Sequence, residues 1–213
     1  MSSTHRRARE QAAVREKILA AARVLFLRQG FEAVTMRAIA GAIEYTAPAL
    51  YTHFRDKRDL LLALCREDFA LFRRALGNPG NSRDPVERLR RMGRAYVRFA
   101  LSHPHHYRLM FMTRWPALPH EPAPEHRDPD ADAYAFLRLA VAEAIRANAL
   151  RPSFRDVDAV TQLLWGAAHG VVSLHLTHGD DPCFPWRPVR ATAYALLDAS
   201  LDGLLRSPKR GSA

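Results

Sequence analysis

A short segment of the chain, TAPALYTHFRDK at residues 46–57, concentrates side chains that can bind a polyanion. Tyr51, His53 and Lys57 can donate hydrogen bonds to phosphate or sugar oxygens. The small side chains of Ala47 and Ala49 would allow a close approach to base edges and to thymine methyl groups. These residue types together predict contact with a nucleic-acid groove.

Two short helices are predicted to position this segment. Thr35 is a suitable N-cap for the first helix. The apolar stripe of that helix comprises Met36, Ile39, Ala40 and Ile43. A second helix over 47–54 follows after a turn of about three or four residues, and Thr46 can cap its first turn. Two helices with this spacing are the outline of a helix-turn-helix.

The second helix is predicted to have an inward and an outward face. Pro48 falls in its first turn, where the missing N–H is not needed. Leu50 and Phe54, which are one turn apart, are expected to face the interior and hold this helix against its neighbours. The outward set is then Ala47, Ala49, Tyr51, Thr52 and His53.

The segment AARVLFLRQGFEAVTMRAIAGAIEYTAPALYTHFRDKRDLLLAL resembles the DNA-binding region of the TetR family of bacterial transcription regulators, over about residues 14–64. The matching positions are Phe26, Gly30, Thr35, Ile39, Ala40, Leu50, Tyr51, Phe54, Lys57 and Leu60. The resemblance implies a homodimer whose second short helix enters the major groove of an operator. It also implies a C-terminal helical domain in which a small molecule binds and lowers operator affinity. The DNA-contacting set that it implies is Thr35, Arg37, Thr46, Ala47, Ala49, Tyr51, Thr52, His53 and Lys57.

Glu44 departs from the family pattern, which usually has glycine in the turn. A left-handed backbone costs a non-glycine residue about 1–2 kcal/mol. Either the turn is modified, or Glu44 points away from the phosphates and pairs with an arginine.

The charge distribution favours an anionic partner for the chain. The sequence holds 32 Lys and Arg against 22 Asp and Glu, a formal net charge of +10. Residues 1–60 contribute 11 basic and 6 acidic side chains, so the first quarter is the more basic part per residue. Near the terminus, Arg6, Arg7 and Arg9 are expected either to form a minor-groove arm or to remain in a disordered, solvated terminus.

Hydrophobic periodicity predicts an all-α chain with two domains. An N-terminal three-helix unit at 10–56 contains the helix-turn-helix. A helical ligand-binding and dimerisation domain follows at 57–207. Its predicted helices cover about 57–76, 133–148, 156–178 and 188–205, together with a helix whose stripe steps from Leu89 to His103.

The last two helices are predicted to form the dimer interface. The first has a near-heptad stripe of Val157, Val160, Leu164, Ala167, Val171 and Leu174. The second has Ala193, Leu197, Leu201 and Leu204. Two such helices and their symmetry mates would give a four-helix interface. The other interpretation is that both stripes are intramolecular core.

The segment LLWGAAHGVVSLHL at 163–176, with HPHHYRLMF upstream, resembles the C-terminal domain of one TetR subgroup that is named for its Trp, His and Gly. Aromatic and methionine side chains with a few polar tips suit a moderately sized, largely apolar effector. The predicted lining is Met92, Tyr96, Phe99, Met110, Phe111, Trp115, Phe136, Trp165 and His169. Tyr96 and His169 are the expected polar anchors, although such stripes also form plain core.

Other chemistries are weakly supported. Cys65 and Cys183 have no paired spacing, which argues against a thiolate zinc site and suits a reducing cytoplasm. No serine, cysteine or carboxylate pair has the spacing of a nucleophile and its base, so no enzyme activity and no cofactor are expected. No apolar run reaches the length of about 20 residues that a membrane helix needs.

The predicted function is a cytoplasmic, dimeric TetR-type regulator, most simply a repressor of a pseudo-palindromic operator. Two alternatives stay open. One is a helical ligand-binding or scaffold protein without operator binding. The other is a metal-responsive regulator that uses the histidines near residues 103–106 and 169–178. The sequence leaves the ligand, the operator and the direction of regulation undefined.

Overall fold

The structure, a computed structural model, describes residues 3–77, 82–115 and 128–206. Within these ranges the regular secondary structure is α-helical, apart from an isolated antiparallel bridge between Leu150 and Leu205. The helices are α1 (Ser3–Gln29), α2 (Met36–Ala42), α3 (Ala47–Tyr51), α4 (Lys57–Ala75), α5 (Pro85–Ser102), α6 (Pro104–Phe111), α7 (Ala133–Arg146), α8 (Val157–His178) and α9 (Val189–Leu204). The predicted all-α class is confirmed. None of the helices in the described ranges is long and apolar enough to cross a bilayer.

Two helix ends differ from the sequence-based prediction. Helix α1 begins at Ser3, so Arg6, Arg7 and Arg9 lie in its first turns and not in the expected disordered terminus. Helix α3 ends at Tyr51, three residues early. The amide groups of His53 and Phe54 both donate to the carbonyl of Leu50, at 2.9 and 3.0 Å, which tightens the chain out of α-helical geometry.

The chain divides into two compact units whose limits differ from the predicted 10–56 and 57–207. Unit 1 is Met1–Asp68 with His105–His120, and unit 2 is Phe69–Pro104 with Glu121–Ala213. The predicted end of the second domain, at residue 207, lies outside the described residues. Segment 105–115 groups with unit 1 because Leu109 is part of the unit 1 core and Trp115 packs against it.

The core of unit 1 is built from one face of each of its helices. Its fully buried side chains include Ile18, Phe26, Ile39, Leu50, Phe54, Leu60, Leu61, Leu64 and Leu109. Each contributes about 1.5–3 kcal/mol through removal of apolar surface from water. A buried ion pair also fixes how the packed helices are oriented. Arg23 Nε donates to Asp68 Oδ2 at 3.1 Å, and Asp68 is 1% exposed.

In unit 2, helices α5, α7, α8 and α9 pack on one another. Most of the stripe residues predicted for the dimer seam lie in this intramolecular core. Those that are buried are Val160, Leu164, Ala193, Leu197, Leu201 and Leu204. For these six residues the intramolecular interpretation is the correct one, because helical periodicity identifies an apolar face but not the surface that covers it. Leu174 of the α8 stripe is 53% exposed and does not belong to this core.

Candidate nucleic-acid interface and effector site

Helix α2 is fixed at its start by Thr35, as the sequence predicts. The Thr35 backbone is extended, with φ −113° and ψ 157°, and its Oγ1 accepts a hydrogen bond from the amide of Ala38 at 3.1 Å. Ile39 and Ala40 are buried on the inner face, while Arg37 is exposed on the outer one. The cap and the buried pair together set the direction of this helix.

The turn after α2 keeps the left-handed geometry that the family usually achieves with glycine. Glu44 has φ +59°, and its amide donates to the carbonyl of Gly41 at 3.2 Å. The amide of Tyr45 closes the turn onto the carbonyl of Ala40 at 2.9 Å. The turn is therefore not modified, and Glu44 carries the backbone strain.

The Glu44 side chain does not behave as expected. It is exposed, and it forms no ion pair with any residue in the described ranges. The predicted pairing with an arginine is therefore absent from that part of the chain.

Helix α3 presents a small polar surface on a buried base. Leu50 and Phe54 are 0% and 2% exposed, which confirms their inward orientation. Tyr51 is 53% exposed. The remaining outward residues are exposed at Thr46 and Thr52 and half-buried at Ala47, Ala49 and His53.

The two threonines of this helix make different local bonds. Thr46 occupies the N-cap position, but its side chain makes no capping hydrogen bond, contrary to prediction. Pro48 lies in the first turn and needs no N–H partner, so part of the demand for a cap is removed there. The Thr52 hydroxyl donates to the carbonyl of Ala49 at 2.7 Å, so its proton is committed and its oxygen can still accept.

Lys57 is held by the protein itself. Its Nζ donates to the carbonyl of Phe31 at 2.7 Å and to that of Glu32 at 3.1 Å, and it lies 4.4 Å from the centroid of the Phe31 ring. Two of the three ammonium protons are therefore used within unit 1. One remains for a phosphate oxygen.

Arg55 is an exposed cation that the sequence-based set omits. It follows the buried Phe54, and its side chain is 86% exposed. Its amide donates to Asp59 Oδ2 at 3.0 Å, and its guanidinium lies 3.4 Å from Asp59 Oδ1. The hydrogen bond from the Arg55 backbone amide lowers the pKa of Asp59 below its usual value, and the hydrogen bond from the Arg55 guanidinium adds to this effect. The DKRD sequence at residues 56–59 could have indicated this contact, because acidic residues at this spacing are typical of a helix start. In the structure Asp56 accepts a hydrogen bond from the Asp59 amide at the start of α4, at 2.8 Å.

Unit 2 contains a polar chain among aromatic side chains. The indole N–H of Trp165 donates to the Tyr96 hydroxyl at 3.2 Å, and that hydroxyl lies 3.2 Å from Nδ1 of His169. Tyr96 is buried, whereas Trp165 and His169 are half-buried. Burial lowers the pKa of His169 below its ordinary value of 6.5. The Tyr96 hydroxyl thus links the indole of Trp165 to the imidazole of His169.

The other residues that are predicted to line the effector pocket are divided between the two units. Met92, Phe99 and Phe136 are buried in unit 2, and the guanidinium of Arg73 lies 3.6 Å from the Phe136 ring centroid. Met110, Phe111 and Trp115 belong to unit 1.

Trp115 has structural partners within unit 1. Its ring packs edge-on against Phe26 and Phe31, with centroids 6.1 and 6.3 Å apart, and its indole N–H donates to the carbonyl of Leu109 at 2.9 Å. This packing ties segment 105–115 to the end of α1.

The histidine clusters do not converge. Among residues 3–77, 82–115 and 128–206, no three His, Cys, Asp or Glu side chains lie close enough to hold a metal ion.

Comparison with known proteins agrees with this geometry. A family profile described as bacterial regulatory proteins of the tetR family matches residues 18–64. A second profile, described as a tetracyclin repressor-like C-terminal domain, matches residues 89–201, more than half of the 213 residues. The chain belongs to the TetR family. TetR-family proteins are DNA-binding regulators and not enzymes, in agreement with the lack of a catalytic constellation in the sequence.

Named relatives match the DNA-binding region of this TetR-family chain. A repressor of Corynebacterium diphtheriae, "HTH-type transcriptional repressor AcnR", is 41% identical over 56 residues, which are 26% of this chain and 30% of the relative. The "HTH-type transcriptional repressor Rv1474c" of Mycobacterium tuberculosis is 44% identical over 57 residues, 27% of this chain and 30% of the relative. The chain thus spans about 30% of the length of each of these relatives.

The fold extends over nearly the whole chain. The crystal structure of a TetR-family transcriptional regulator from Haemophilus influenzae is 17% identical, covers 92% of this chain and 99% of its own, and has a TM-score of 0.65. At this identity the likeness concerns the fold alone. The subgroup named for Trp, His and Gly remains a prediction.

Proposed function

We propose that this TetR-family chain is a dimeric repressor that binds a pseudo-palindromic operator and is released by a small, largely apolar effector. The observation that carries the proposal is the exposed surface of α3. Tyr51 is exposed on this helix, while Leu50 of the helix and Phe54 just after its end are buried in the core of unit 1. A rigid helix with an outward phenol and small neighbours suits insertion into the major groove.

The proposed DNA-contacting residues of α3 and of the segments around it divide by role. Tyr51, His53 and Lys57 bind phosphate or sugar oxygens, and Thr35, Arg37 and Thr46 do so from the flanks. Ala47 and Ala49 lie against base edges. Thr52 reads a base: because its proton is donated to Ala49, its oxygen accepts from the amino group of adenine or cytosine.

Dimerisation uses what we name the open face of α8 and α9, which consists of Leu163, Gly166, Gly170, Leu174, Leu196, Ala199 and Gly203. Leu163 and Leu174 are each 53% exposed, and Leu196 is 41% exposed. A Cβ atom added at Gly166, Gly170 or Gly203 would meet nothing within 4 Å. The chain's own packing therefore does not require glycine there, whereas close approach of a second copy would. Two copies would present two reading heads one helical turn of DNA apart, about 34–36 Å.

The effector binds beside Tyr96, Trp165 and His169. Two aromatic rings lie beside their hydrogen-bonded chain: the buried Phe72, 5.4 Å from Tyr96, and the half-buried Tyr134, 6.0 Å from Trp165, both measured between ring centroids. An apolar ligand with one polar group could replace a bond of this chain and gain specificity from it. To shift the population of the DNA-binding state from 99% to 1%, it must prefer the other state by about 5.5 kcal/mol.

The test is a gel-shift series on operator variants taken from the region upstream of the chain's own gene. Tyr51→Ala and Lys57→Ala should weaken binding to all variants, whereas Thr52→Val should alter the order of preference among them. Arg83→Ala serves as the control, since Arg83 is an exposed arginine of unit 2. Unchanged binding by all three variants of the helix-turn-helix region would refute the assignment of this surface.

A further inference from the structure

Unit 2 has a concave, arginine-rich surface that the proposed function does not use. A pocket of about 320 Å³ lies where the end of α7, the chain before α8 and the chain after α9 meet. Four arginines line it: Arg146, Arg151, Arg155 and Arg206. Its lining includes no Asp or Glu.

The pocket has a built framework. Leu150 pairs with Leu205 in the antiparallel bridge, and the amide of Arg206 donates to the carbonyl of Ala149 at 3.0 Å. The amide of Arg151 donates to the carbonyl of Leu204 at 2.9 Å, and its Nε to that of Leu205 at 3.0 Å. These bonds hold Arg151 and the backbone of Arg206 side by side.

Apolar side chains also line the pocket. Leu150 is 5% exposed, and Phe154 and Ile145 are half-buried in the lining. A lining that combines arginines with apolar side chains suits an amphipathic anion better than a hydrated inorganic ion, because the carbon skeleton of the ligand can contact the apolar side chains while its oxygens meet the arginines.

The charges of the four arginines are not neutralised locally. Within the described ranges, no carboxylate lies within ion-pair distance of Arg146, Arg151, Arg155 or Arg206. The nearest carboxylates in sequence are engaged elsewhere, Glu143 with Arg88 and Asp156 with the amides of Asp158 and Ala159 at 2.9 and 3.1 Å. Guanidinium groups match phosphate and carboxylate oxygens in paired hydrogen bonds, so an external anion would supply the missing partner.

We propose that this pocket binds a small organic anion that carries a phosphate or carboxylate group on an apolar or aromatic body. Arg146, Arg155 and Arg206 bind the anionic group, and Leu150 and Phe154 contact the body. Arg151 contributes less to the ligand, since its Nε is already bonded to Leu205. The site is separate from the Tyr96–His169 chain and needs neither DNA nor the apolar effector.

The test is isothermal titration calorimetry of the full chain, in about 150 mM salt, with 1-naphthyl phosphate, 1-naphthoate and inorganic phosphate. At least one naphthyl anion should bind saturably with one site per chain and at least tenfold more tightly than inorganic phosphate. The double variant R146Q/R155Q should weaken this binding at least tenfold. The matched control, R83Q/R187Q, removes the same charge from exposed positions elsewhere in unit 2 and should change it less than twofold.

Two results would overturn the proposal. One is the absence of saturable binding of either naphthyl anion to the unaltered chain. The other is an equal loss in R146Q/R155Q and R83Q/R187Q, which would mean that net charge alone attracts the probe. Circular dichroism of both variants checks that the fold is intact, and because Arg146 and Arg155 are exposed we expect no change.

Discussion

The ammonium group of Lys57 lies 2.7 Å from the carbonyl oxygen of Phe31 and 4.4 Å from the centroid of the same residue's ring. This contact joins the first residue of α4 to the chain that leads into α2. The helix-turn-helix lies between the two points, so Lys57 holds its two ends together. Lys57, which the family resemblance assigns to DNA contact, therefore also stabilises unit 1.

Replacement of Lys57 should destabilise unit 1 as well as weaken DNA binding. We expect Lys57→Met to lower the free energy of unfolding by about 1–2 kcal/mol, since it removes charge-assisted hydrogen bonds to two carbonyl groups. Urea denaturation followed by circular dichroism measures this. Lys17→Met, at an exposed position of α1, is the matched control and should change the value by less than about 0.5 kcal/mol. Equal stability of the two variants would contradict the structural role of Lys57.

Glu44 offers a test of backbone strain. Because Glu44 has φ +59°, Glu44→Gly should be more stable than Glu44→Ala by about 1 kcal/mol, even though both variants lose the same carboxylate. Thermal unfolding of the two variants measures the difference. Both should also bind DNA more tightly than the unaltered chain, because a negative charge near phosphates is removed. An alanine variant as stable as the glycine variant would contradict the strained turn.

The pH dependence of stability should reveal His169. Burial lowers the folded-state pKa of His169 below 6.5, so the unfolded chain binds this proton first as the pH falls. The contribution of His169 to stability is therefore fully present above about pH 6.5 and is lost as the pH falls from there towards the lower folded-state pKa. Chemical denaturation between pH 5 and pH 8, compared with His169→Asn, isolates this contribution. A variant with the same slope as the unaltered chain would show that His169 is not responsible.

The open face of α8 and α9 can be blocked without disturbing the fold of one chain. Gly170→Leu adds a side chain at a position where a Cβ atom would meet nothing within 4 Å, so the isolated chain should fold normally. Its bulk would keep two α8 helices apart, and light scattering should report a monomer. Ser153→Leu adds the same side chain at an exposed position before α8 and should leave a dimer. A Gly170→Leu dimer of unchanged affinity would place the interface elsewhere.

Local signals make much of the DNA-binding unit predictable. The Thr35 cap and the inward pair Leu50 and Phe54 follow from residue type and spacing, and the structure confirms them. These features depend on neighbours within one or two helical turns. They can therefore be predicted from the sequence alone.

Features that depend on distant neighbours are less predictable. From the sequence, Trp115 is predicted to line the effector pocket. In the structure its indole packs beside Phe26 and Phe31, a tertiary contact that hydrophobic periodicity does not encode. The same holds for Leu197 and Leu201, whose stripe is covered by the chain itself. The exposed Leu163 and the glycines around it lie on a face of α8 next to the buried stripe. The sequence does not tell these two faces apart, whereas the observed burial does.

Fluorescence anisotropy of a labelled duplex from the chain's own upstream region tests the central claim most directly. Titration at several salt concentrations should give saturable binding of a dimer whose affinity falls steeply as salt rises, because phosphate contacts release counterions. Tyr51→Ala should weaken this binding by about tenfold or more, since a loss of about 1.4 kcal/mol corresponds to a factor of ten. No saturable binding at about 50 mM salt, or equal affinity of the unaltered and Tyr51→Ala chains, would contradict the account of α3 as the groove-reading helix.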